Sequence, residues 1–154
     1  MTLRNILLFI HLLAAFTWIG GAILLNILGR RALRSGDPEA AMGIVNTSDF
    51  AAKAVFNPAG GIVLLAGIAL VLESDIFDFG MAWILFAIAV VVGSAILGGV
   101  FYGRRIKQLY AVAEERGPSD PAIPKSVRTI LNVANVEALF LLAVAWVMVF
   151  KPGA

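Results

Sequence analysis

"ILLFIHLLAAFTWIGGAILLNIL", residues 6–28, runs for 23 residues with one histidine, one threonine and one asparagine as its polar members. An α-helix rises about 1.5 Å per residue, so roughly 20 apolar residues cross a hydrocarbon core of about 30 Å. This stretch has that length. It also holds His11, the single histidine of the chain. An ionisable imidazole in such a run is costly in lipid and needs protein, a ligand or water beside it.

Composition points the same way. The 154 residues are 60% hydrophobic and 14% charged, and the mean hydropathy is +0.93. Soluble domains are about half apolar and about a quarter charged. The expected fold is an all-α integral membrane four-helix bundle forming a single domain over residues 1–154. Three further apolar runs follow: Ala59–Leu72, Trp83–Tyr102 and Ile130–Phe150. The spanning helices are therefore expected at about 6–28, 57–72, 83–102 and 130–150. The second run is short by itself. Either Asn57-Pro58 caps it, or one helix kinked at Pro58 runs from about Ser48 to Leu72.

Charge sets the expected orientation. Arg30, Arg31, Arg34 and Lys53 follow the first run, and Arg104, Arg105, Lys107, Arg116, Lys125 and Arg128 follow the third. Arg4 and Lys151 alone lie on the other side. The segment 73–80 carries Glu73, Asp75 and Asp78 and no base. The positive-inside rule puts 29–53 and 103–129, both read as long loops, in the cytoplasm and both termini outside. "ERGPSDPAIPK", residues 115–125, reads as a Pro-rich solvated connector. The first apolar run is too long for a signal-peptide core, and its basic flank follows it, so it reads as an uncleaved helix.

The absence of cysteine excludes disulfides and thiolate chemistry. One histidine excludes a poly-His metal site within one chain. No phosphate loop or nucleophile–base pair supports a soluble enzyme, and topology with anionic lipid headgroups accounts for the basic segments without nucleic acid.

The informative side chains are polar ones in apolar surroundings: His11, Asn26, Ser94, Asn132, Asn135 and Glu137. His11 and Trp18 are two turns apart and share a helix face. Asn132 and Asn135 share another, with Glu137 about 200° from Asn135. Direct pairing of Glu137 with His11 is not expected, because their depths differ by roughly 8 Å. Glu137 is closer in depth to Asn26 or Arg104. Trp83, Tyr102 and Trp146 read as interface anchors. Gly20-Gly21, Gly60-Gly61 and the Ala95, Gly99, Gly103 repeat allow close helix approach. They would also leave room for a flat macrocycle.

"HLLAAFTWIGG", residues 11–21, resembles the first helix of the CopD-like superfamily of bacterial membrane proteins, which includes copper-resistance and HemJ-type proteins. "NPAGGIVLLAGIALVL", residues 57–72, and "VMVFKP", residues 147–152, are similar to an uncharacterised family of predicted integral membrane proteins within that group. The resemblance implies a bacterial cytoplasmic membrane location. It also implies that His11 serves as an axial ligand of b-type haem, with Trp18, Gly20 and Gly21 lining the pocket. The HemJ-type pattern continues with an arginine and a second histidine, where this chain has Ile27 and Ala32. Protoporphyrinogen oxidation is therefore not expected. Haem ligation by one His, alone or in a homodimer, stays open. Two other readings remain: a small transport or metal-uptake protein using Glu137 and His11, and an accessory subunit of a larger membrane complex with no chemistry of its own.

Overall fold

Helices of 33, 35, 35 and 29 residues make up nearly all of the chain. In the computed structural model, which describes residues 2–152, they span Leu3–Ser35, Pro38–Leu72, Ala82–Arg116 and Ala122–Phe150. No strand occurs among the described residues. Each helix is long and apolar enough to cross a membrane. The first helix packs on the second and the fourth, and the third completes the ring between those two. Four spans bring both chain ends to one end of the bundle. The clustered bases occupy the other, here called the basic end.

The helices outrun their apolar segments. A 35-residue helix is about 52 Å long, well beyond a hydrocarbon core of about 30 Å. The segments 29–53 and 103–129, expected as long loops, are therefore mostly helical. Their polar residues lie on one face and apolar residues on the other. In the third helix Ile106 and Leu109 are buried, three residues apart, among arginines, glutamates and Lys107. This spacing marks a helix covering an apolar core with a solvated back. True connectors are short at this end: Gly36-Asp37 and residues 117–121. Gly36 takes a left-handed φ of 70°, and the Asp37 carboxylate accepts the Glu39 N–H at 2.9 Å ahead of Pro38. The first helix thus stops and the second starts within two residues.

Two cores are stacked along the bundle. At the basic end Ala41, Ile44, Val45, Ile106, Leu109, Ile123, Val127 and Leu131 pack together, and Ile123 is fully buried. The other core joins Ala14 and Trp18, Ala59 and Val63, Val91, and Leu141, one set from each helix in turn. Burial from water drives the first core. The second lies where lipid replaces water, so close van der Waals fit must hold it. Around it Leu13, Phe16, Leu65 and Leu139 remain more than half exposed, as residues facing acyl chains would.

Two turns of π-helix, Ala52–Phe56 and Gly98–Tyr102, lie at the junction of the two levels. Each closes on an i→i+5 bond, Asn57 N–H to the Ala52 carbonyl and Gly103 N–H to that of Gly98. The first has a local cause. Pro58 has no N–H for the Ala54 carbonyl, and its ring crowds that carbonyl. A wider turn relieves both problems, so one helix continues from Pro38 through Pro58. Its α-helical stretch Asn57–Leu72 begins where the Asn57-Pro58 reading put it, while a start near Ser48 falls inside the helix.

At the opposite end the 73–81 connector is anchored rather than free. Phe77 stacks edge-on against Trp83 with centroids 5.4 Å apart, and Lys151 Nζ lies 4.8 Å over the Phe77 ring. Trp83, expected as an interface anchor, is instead buried beneath this cap.

Candidate functional site

The seam between the first and second helices is built from aromatic rings set into glycines. His11 lies against Gly67, where a Cβ would come 3.2 Å from its Cε1. Trp18 lies against Gly60, where a Cβ would meet the indole at 3.2 Å. The seven-residue step from 11 to 18 is matched by the step from 67 back to 60, so two rings meet two antiparallel gaps. Phe56 fills a third gap at Gly21, where a Cβ would come 2.7 Å from the ring.

His11 is buried, and its Nδ1 is 3.0 Å from the Val63 carbonyl. A carbonyl can only accept, so Nδ1 carries a proton, and in the neutral imidazole the lone pair is then on Nε2. Nε2 has no hydrogen-bond partner among the described residues. Nor is it sealed in, because Trp83 Nε1 is the one fully enclosed side-chain nitrogen or oxygen without a partner among the described residues. The seam therefore orients the imidazole through one nitrogen and leaves the other available.

The residues expected around His11 are not all brought to it. Trp18 shares its face and seam. Gly21 lies deeper and is occupied by Phe56, while Gly20 is exposed, with nothing near a Cβ placed there. Gly67, whose missing side chain leaves the space that the imidazole fills, was not singled out by the sequence. Its signal was the 60/67 spacing that mirrors 11/18.

Glu137 belongs to a different seam. Tyr102, at the end of the third helix's π-turn, donates its hydroxyl hydrogen to Glu137 Oε2 at 2.8 Å. The partner is neither Asn26 nor Arg104, and Tyr102 does more than anchor an interface. No described hydrogen bond links this pair to His11.

The asparagines divide. Asn26 is buried, donating through Nδ2 to the Leu131 carbonyl at 2.8 Å and accepting at Oδ1 from Arg30 Nε at 2.9 Å. Arg30 Nη2 donates across to Asn132 Oδ1 at 3.3 Å. Asn135 is exposed with no side-chain hydrogen bond among the described residues, and Ser94 is buried in the third helix. Gly29 allows this first–fourth contact, since a Cβ there would fall 2.6 Å from Leu131 Cδ2.

No group of three His, Asp or Glu side chains capable of holding a metal ion occurs among the described residues. Two cavities, of about 330 and 450 Å³, lie away from His11: one beside Leu109 and Ala122, the other beside Asp78 and Trp83. Residues 5–152 match a protein family described as predicted integral membrane protein (DUF2269). No curated protein and no solved structure matches the chain.

Proposed function

The chain belongs to the DUF2269 family of predicted integral membrane proteins, and we propose that it binds b-type haem through His11 Nε2. The observation that carries the reading is the His11–Val63 hydrogen bond. A ligating histidine characteristically gives its other N–H to a carbonyl or carboxylate, which fixes tautomer and ring orientation. His11 has that arrangement. A bare metal ion would need several protein ligands, whereas a porphyrin brings four nitrogens of its own, so a single imidazole is enough. Bound haem would supply one-electron chemistry. The protein's own part is to orient the ring through the Val63 carbonyl and leave Nε2 available. With the basic end in the cytoplasm, His11 lies in the outer half of the membrane.

Protein purified after expression with haem supplied should show a Soret band that His11→Ala abolishes. A colourless preparation overturns the proposal.

The same hydrogen bond favours one alternative, an accessory subunit in which His11 only joins two helices. Under that reading His11→Asn leaves every spectroscopic and functional signal unchanged, and the protein copurifies with a larger membrane complex.

A further inference from the structure

Arg30 is held by two neutral amide oxygens and by no carboxylate. Its Nε goes to Asn26 Oδ1 at 2.9 Å and its Nη2 to Asn132 Oδ1 at 3.3 Å. The ion pairs among the described residues are Lys53–Asp49 and Arg116–Asp120, and neither involves it. A guanidinium has five N–H donors, so three stay unused after these two bonds. Asn26 is itself fixed by its bond to the Leu131 carbonyl at 2.8 Å. The fork is thus pre-set across the first–fourth seam with its charge uncompensated.

The seam changes character on either side of Arg30. Residues four apart on a helix are neighbours along one face. Arg34 lies one turn toward the basic end on the first helix, and Arg128 one turn toward it from Asn132 on the fourth. Both are exposed, and neither has an acidic partner within 4.0 Å among the described residues. One turn the other way are Ile27 and Val136, 59% and 54% exposed. Apolar surface, a preorganised guanidinium and two free cations therefore follow each other along one seam, where the apolar helix segments end. That order matches acyl chain, phosphate and aqueous headgroup of a phospholipid. Guanidinium recognises phosphate oxygens through paired, charge-assisted hydrogen bonds.

We infer that the Arg30–Asn132 seam, extended by Arg34 and Arg128, is a binding site for an anionic phospholipid, with the phosphate on Arg30 and an acyl chain along Ile27 and Val136.

The test is native mass spectrometry of the detergent-purified chain titrated with phosphatidylglycerol, with phosphatidylcholine, or with inorganic phosphate. Phosphatidylglycerol should bind as a discrete adduct, with the other two at least about tenfold weaker. Arg30→Gln should weaken the adduct by about tenfold, the size expected for losing hydrogen bonds to a charged group. Arg128→Gln, which removes no hydrogen bond or ion pair among the described residues, should weaken it without altering the fold. Arg30→Lys should keep only part of the affinity, because the fork is lost while the charge remains. Equal binding of phosphatidylcholine, or unchanged phosphatidylglycerol binding in both Gln variants, overturns the proposal. Phosphate binding as tight as the lipid overturns the assignment to a lipid.

Discussion

His11 and Gly67 occupy complementary positions across the first and second helices: the imidazole fills the space that a Cβ at residue 67 would need. The hydrogen bond from Nδ1 to Val63 depends on that approach.

Gly67→Ala should therefore push the ring outward and stretch this bond, costing about 1 kcal/mol. In a His11→Ala background the same substitution should be neutral or stabilising, because Ala is the better helix former. Unfolding of both pairs in mixed detergent–SDS measures the change of sign. Equal costs in both backgrounds would show that Gly67 is not there for the imidazole.

Gly29→Ala should cost about 1–3 kcal/mol, since the Leu131 side chain it would meet lies in the buried basic-end core and can give way only by repacking there. Gly20→Ala, with open space around it, should cost nothing measurable in the same assay. Similar stability of the two variants would contradict the close first–fourth approach.

Tyr102→Phe and Glu137→Gln should be coupled. Interhelical side-chain hydrogen bonds in membranes contribute about 1 kcal/mol, so a double-mutant cycle should return a coupling of that order. A coupling near zero would mean that the 2.8 Å contact carries no energy.

The membrane class and the four spans could be read from hydropathy alone, because lipid imposes one requirement on every residue of a span. The helix ends could not. Arginine-rich segments after the first and third runs resembled loops, yet Ile44, Ile106 and Ile123 form a water-driven core among them. Their apolar residues are too sparse to register in a hydropathy average. Polar candidates were visible, but partners were not. His11 pairs with a backbone carbonyl, which every residue has, so no side-chain pattern could have revealed Val63. Tyr102 looked like an anchor because its position at an apolar boundary suits that role equally well.

The π-turns give a prediction of another kind. A π-turn holds one residue more than the α-turn it replaces. Deleting Gly99 should let Gly98–Tyr102 close into α-helix with both flanks still in register, and folded protein should be recovered by size exclusion. Deleting Ala87 from regular helix would rotate everything after it by about 100° and should not give folded protein. Deletion of Ala54 should fall between them, because Pro58 resists closure of the first π-turn. Equal recovery of the Gly99 and Ala87 deletions would overturn this account.

The two-residue link at Gly36-Asp37 also bears on the order of events during synthesis. A chain emerging from the ribosome has completed both partners of the His11–Gly67 and Trp18–Gly60 contacts by residue 72, ten residues before the third helix begins. So short a link leaves the second helix little choice but to turn back along the first. Half of the bundle can then enter the bilayer as a finished hairpin, and the later helices have a template to dock on.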